Sequence, residues 1–131
     1  MRAIDSSTLV KFFSKERGWE KVAEIIPEGV VTLDIAIKEV ASALWKKVIK
    51  GEMAEDIAVR ILSDLLKKEA IIVVNQDEYL VEAFKIAVKY KITVYDALFI
   101  ALAKSLKTEL ITSDRKQYNV SLEEGVKTTF V

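Results

Sequence analysis

Short apolar runs alternate along this chain with longer stretches in which apolar residues recur every three or four positions. The run Arg2 to Asp5 predicts a short buried strand, and Ser6 or Ser7 can cap the helix behind it, with Val10, Phe12 and Phe13 on its apolar side. A second short helix is expected over Trp19 to Ile26, stopped by Pro27, and Gly29 to Thr32 reads as the second strand. From Leu33 to Lys50 the positions Leu33, Ile37, Val40, Leu44 and Val48 form a helical core stripe, with Gly51 as the residue after the cap. Another helix is predicted over Met53 to Lys68, striped by Ile57, Ile61 and Leu65. Ala70 to Val74 is continuously apolar, the pattern of a strand buried on both faces. Helices follow over Asp77 to Lys89 and Thr93 to Leu106, the latter apolar nearly all round and therefore central. Glu109 to Thr112 reads as a strand, Arg115 to Tyr118 as a turn or short helix, and Val126 to Val131 as the last strand. Alternating strands and helices predict an α/β fold with a parallel sheet between helical layers.

A chain of 131 residues suits one domain spanning 1–131, and 51% apolar residues supply its core. One proline and four glycines leave little material for a linker, and no internal repeat is visible. Twenty basic residues balance twenty acidic ones, which argues against broad electrostatic adhesion to nucleic acid but not against a local basic rim. Abundant Lys and Glu with few Asn and Gln is a bias shared with hyperthermophilic proteins. Met1 stands almost directly before the first strand, leaving no room for a secretory leader, and the run Ala97 to Ala103 is too short to span a bilayer. The expectation is a soluble cytoplasmic protein.

The absence of His and Cys changes the picture more. It removes the usual general base, thiolate and imidazole metal sites, disulfides and every triad built on histidine. Acids remain, and Asp5, Glu39, Asp96 and Asp114 are those that the predicted elements gather. Asp5 and Asp114 follow strands, where open α/β sheets place their chemistry. Each Asp also has a plainer reading. Asp5 can cap the first helix, Thr93 to Asp96 matches a capping box, and Asp114 can cap a helix or close an Asx-turn. Glu39 is different, because it lies inside a helix among Ile35, Ala36, Ser42 and Ala43. A carboxylate on such a face is costly unless a cation or strong donors meet it. Clustered carboxylates without softer ligands point to a hard cation, Mg²⁺ or Mn²⁺. No P-loop, Gly-x-Gly-x-x-Gly or nucleophile elbow competes with them.

Four segments, Arg2-Ala3-Ile4-Asp5-Ser6-Ser7, Glu39 to Trp45, Tyr95-Asp96-Ala97-Leu98 with Ala101, and Ile111-Thr112-Ser113-Asp114-Arg115, together resemble the PIN domain, most closely its VapC-type toxins. The resemblance covers essentially the whole chain. It implies a five-stranded parallel sheet of order 3-2-1-4-5 and a metal-dependent endoribonuclease acting on single-stranded RNA. It places the family's acids on Asp5, Glu39, Asp96 and Asp114 as catalytic residues and ligands for one or two ions, with Glu39 as ligand or base. Its hydroxyl residues fall on Thr112 and on Ser6 or Ser7, in supporting roles. Some relatives carry a further Asp where this chain reads Arg115-Lys116-Gln117-Tyr118, so a second ion is held less securely. The resemblance also implies a small antitoxin partner and a homodimer. Arg115, Lys116, Lys11 and Lys15 are candidate phosphate contacts. Trp19, Trp45 and Tyr95 suit base stacking, but core or subunit-contact roles are the stronger expectation for them. The rival readings are a non-catalytic PIN scaffold binding RNA or protein, and a phosphatase using Asp5 as nucleophile. The second wants an acid two residues on, where Ser7 stands.

Overall fold

The structure, a computed structural model, describes residues 1–67 and 69–131. In chain order the elements are β1 (Arg2–Ile4), α1 (Ser6–Phe13), α2 (Trp19–Ile25), β2 (Val30–Leu33), α3 (Asp34–Ile49), α4 (Glu55–Leu66), β3 (Ile71–Val74), α5 (Leu80–Tyr90), α6 (Val94–Leu106), β4 (Leu110–Thr112), α7 (Arg115–Glu123) and β5 (Thr128–Phe130). Short 3₁₀ turns cover Ile26–Glu28 and Gln76–Tyr79. All strand pairs are parallel, in the order β3-β2-β1-β4-β5. The chain leaves β1 towards β2 on one side, and β4 lies on the other, so the strand order reverses between β1 and β4. Such a switch point opens a crevice beyond the carboxyl ends of the strands.

Residues 97–103 of α6 are all buried, and this helix packs against α5, β1, β2 and β4. Its all-round apolar pattern therefore marks the central helix, as expected. On α3 the buried stripe is Ala36, Val40 and Leu44, with Ile37 and Val48 partly covered. Gly51 adopts φ +76, and bonds from Gly51 N to Val48 O and from Glu52 N to Lys47 O close the helix with a left-handed cap.

Several expectations need correction. β3 is not buried on both faces. It lies at the sheet edge, and Ile72 is 48% exposed. On α4 it is Ala58, not Ile57, that enters the core with Leu65, while Ile57 is 48% exposed. Lys68, expected at the end of that helix, lies outside the described residues. Pro27 does stop α2, which ends at Ile25, one residue short of the expected Ile26, and its fixed φ suits the 3₁₀ turn Ile26–Glu28 that follows. The helix expected from Asp77 begins as the 3₁₀ turn Gln76–Tyr79, which Asn75 caps through Asp77 N. The segment after β4 is a helix, one of the two forms expected, but it runs nine residues to Glu123 instead of stopping at Tyr118, and it buries Gln117, Val120 and Ser121. Its inward face is largely polar, so apolar periodicity has little to register. Trp45 and Tyr95 are exposed, which rules out core roles, whereas Trp19 is half-buried against Phe12.

Candidate active site

Asp5 immediately follows β1, and Asp114 lies two residues beyond the adjacent β4. The register Ala3↔Leu110 and Ile4↔Ile111 carries Asp5 level with Thr112. Thr32 on β2 donates to the carbonyl of Ile4 at 2.7 Å, fixing the backbone just before Asp5. Glu39 projects from the second turn of α3, and Asp96 from the first turn of α6.

Three helix starts are built by capping, as the plainer readings proposed. Asp5 accepts from Thr8 N, Asp114 from Gln117 N, and Thr93 from Asp96 N. At Asp114 capping and chemistry do not compete, because the cap bond takes one of the carboxylate's about four lone-pair sites.

Asp5 is 3% exposed and accepts four hydrogen bonds, so a cation there would take the place of one of its hydroxyl donors. Oδ1 accepts from Thr8 N (3.0 Å) and Thr8 Oγ1 (2.6 Å). Oδ2 accepts from Ser7 Oγ (2.6 Å) and Thr112 Oγ1 (2.7 Å). The two hydroxyls on Oδ2 are relays. Thr112 Oγ1 also accepts from Asp114 N at 3.0 Å, and Ser7 Oγ from Ser113 N at 3.2 Å. Asp5 thus stitches the β1–α1 junction to the β4–α7 junction. Burial pushes its pKa up, and the donors of Ser7, Thr8 and Thr112 pull against that without cancelling it.

Glu39 is half-buried and accepts from Ser6 Oγ at 2.9 Å. Desolvation raises its pKa. The Ser6 hydroxyl opposes the rise, while the charges of Asp96 and Asp5 add to it. Asp96 is raised in the same way, by desolvation and then by Asp114, with Thr93 and Lys116 opposing. Charge coupling thus joins Glu39 to Asp96 and Asp5, and Asp96 to Asp114, while hydrogen bonds join Glu39 to Ser6, Asp5 to Ser7 and Thr112, and Thr112 to the Asp114 N–H.

The basic candidates separate. Lys116 is the one whose charge reaches Asp96. The guanidinium of Arg115 lies over the rings of Phe130 and Tyr118, at 3.9 and 5.6 Å from their centroids. Lys11 Nζ donates to the carbonyl of Val131 at 2.7 Å, and Lys15 lies over Trp19. Two residues of the network escaped the sequence reading, Thr8 and Gln117. Each stands three residues after a capping acid, at the position whose N–H the cap receives, and that offset is the signal that marks them.

The donor set is purely oxygen, as hard divalent cations require. Like charges held close, with raised pKa values, are what such a cation relieves. Among the described residues, however, no three acids converge into a ready-made cage.

A sequence profile of the PIN domain matches residues 3–122. The chain belongs to the PIN domain family. It is 34% identical to "Ribonuclease VapC3" of Pyrobaculum aerophilum over 116 residues, which is 86% of this chain and 88% of that PIN protein. The crystal structure of PAE2754 from the same organism is 25% identical with a TM-score of 0.72, covering 97% of this chain and 87% of its own. A toxin–antitoxin complex from Klebsiella pneumoniae shares the fold at 22% identity with a TM-score of 0.64, covering 90% of each chain. The strand order β3-β2-β1-β4-β5 expected from the PIN resemblance is the order observed.

Proposed function

We propose that this PIN domain is a divalent-cation-dependent endoribonuclease that cuts single-stranded RNA, and that it is the toxin of a VapBC-type toxin–antitoxin pair. The observation that carries the reading is the linked set Asp5, Glu39, Asp96 and Asp114 at the switch point of the sheet, three of them with pKa values raised chiefly by burial. The ribonuclease name of its VapC3 relative and the toxin–antitoxin complex that shares its fold support the substrate and partner classes.

The four acids would hold one or two Mg²⁺ or Mn²⁺ ions, with water and RNA phosphate oxygens completing the shell, as suits a set that forms no closed cage. A bound ion supplies neutralisation of phosphate charge and a more acidic water. The chain's own groups do the rest. Four donors and its burial hold Asp5 in a single orientation. Glu39, with its pKa raised, is suited to take a proton from the attacking water. Water adds to phosphorus and the bond to the 3′-oxygen breaks, leaving 5′-phosphate and 3′-hydroxyl ends without use of the 2′-hydroxyl. Lys116 faces the acids and would hold a flanking phosphate, with Arg115 and Lys11 further out. The apolar face of α5 left exposed by Leu80, Val81, Phe84 and Val88 suits a homodimer contact. Among the described residues no helix is long and apolar enough to cross a membrane, and we place the protein in the cytoplasm.

The test is cleavage of defined single-stranded RNAs in Mg²⁺, Mn²⁺ or EDTA by the wild type, Asp5→Asn and Asp96→Asn. Activity should need the cation and fall at least about a hundredfold in both variants. EDTA-resistant cleavage, or wild-type turnover in either variant, sinks the proposal. The second reading is a non-catalytic PIN scaffold, and the lack of a preformed cage among the described residues is the observation in its favour. Calorimetric titration with Mn²⁺ separates the two, because a scaffold need bind no metal.

A further inference from the structure

Gln117 is a buried polar residue. It lies in the first turn of α7 and is 2% exposed. Its backbone N–H donates to Asp114 Oδ1 at 2.9 Å, and its side-chain Nε2 donates to the backbone carbonyl of Asp96, also at 2.9 Å. Its Oε1 is buried and meets no donor. One residue therefore grips two of the four acids, Asp114 through the main chain and Asp96 through the side chain.

The unmet carbonyl is informative. A buried polar atom without a partner costs about 1–3 kcal/mol, and an apolar side chain of the same shape would avoid that cost. Nor does α6 need the amide for its own hydrogen bonding. The Asp96 carbonyl lies in the first helical turn, where the N–H four residues on already serves it. What the amide adds is position. It ties the first turn of α6 to the first turn of α7, and each of these turns carries an acid. Two carboxylates on neighbouring turns repel each other, and a bond between the turns opposes that repulsion.

We infer that Gln117 is a positioning residue for the Asp96–Asp114 pair and sets the separation at which the two carboxylates meet a divalent cation. The inference rests on the proposed reading of these acids as cation ligands. It predicts an unusual combination, in which stability and cation affinity move apart. Gln117→Leu and Gln117→Met keep the volume and remove the donor. Each should melt, in EDTA, at or above the wild-type temperature. Each should bind Mn²⁺ about ten- to a hundredfold more weakly by calorimetry, the usual range for a residue that orients a ligand. In an Asp96→Asn background, Gln117→Met should weaken Mn²⁺ binding no further, because its effect runs through Asp96. Wild-type Mn²⁺ affinity in both variants would overturn the role of Gln117 and leave the cation reading standing. A large fall in melting temperature in both would also overturn it, since the amide would then be a simple core support. A wild type that binds no Mn²⁺ removes the cation reading and this inference with it.

Discussion

Thr112→Val isolates the relay that joins Asp5 to Asp114. Thr112 is fully buried, and its hydroxyl donates to Asp5 Oδ2 and accepts from Asp114 N. Valine keeps the shape and loses both bonds. A hydrogen bond to a charged group contributes about 1.5–3 kcal/mol. The half-buried Asp114 N–H, left without its acceptor, adds about 1 kcal/mol at the low end of the range for an unmet donor. The extra buried methyl returns about 0.8 kcal/mol. The variant should therefore lose about 2–3 kcal/mol, or roughly 6–15 °C in melting temperature for a chain of this size. The loss has a pH signature. Burial already raises the pKa of Asp5, and removing a donor raises it further. The deficit is full where Asp5 is charged and shrinks as pH falls through the raised pKa, because a protonated Asp5 no longer uses a charge-assisted bond. Thermal melts of both proteins in EDTA across this range provide the assay. A variant that melts with the wild type at pH 7, or a deficit that does not change with pH, refutes the reasoning.

Asp5→Asn should separate stability from cation binding. Because the folded pKa of Asp5 is raised, the ionised group lowers stability as pH climbs through that value. Asparagine removes the charge, still caps α1 through Thr8 N, and the hydroxyls of Ser7 and Thr112 can turn to accept from its amide. Metal-free Asp5→Asn should melt at or above the wild type at pH 7 but gain nothing from added Mn²⁺, and a clear loss of metal-free stability would contradict this. Cation affinity should weaken on acidification from a pH above the ordinary carboxylate values of 3.8 and 4.5, because Asp5, Glu39 and Asp96 all hold protons more tightly than usual. A calorimetric Mn²⁺ affinity that stays flat down to pH 4.5 counts against it. Phe84→Glu places a charge on the exposed apolar face of α5 and should convert a dimer to a monomer in sedimentation equilibrium. An unchanged mass for the variant would move the interface elsewhere.

The fold was legible where local pattern and tertiary role agree. α6 announces itself by burial on every side, and α3 by its stripe and its Gly51 cap. β3 misleads because an edge strand and a central one can share an apolar run, and only neighbours in space tell them apart. α7 misleads because it buries Gln117 and Ser121, which periodicity counts as surface. The four acids were legible through their places after strands and at helix starts, and through Glu39 on a face with few charges. The relays were only half legible. Thr112, Ser6 and Ser7 follow from the PIN resemblance, whereas Thr8 and Gln117 are marked only by standing three residues after a capping acid, and the bond from Gln117 to Asp96 exists only once α7 packs beside α6.

The central claim is hydrolysis of RNA by water at this carboxylate set. The most direct test maps the ends of products formed from a defined single-stranded RNA in Mg²⁺ or Mn²⁺. The account predicts 5′-phosphate and 3′-hydroxyl ends that appear only with the cation. Products ending in 2′,3′-cyclic phosphate, formed equally well in EDTA, would contradict it.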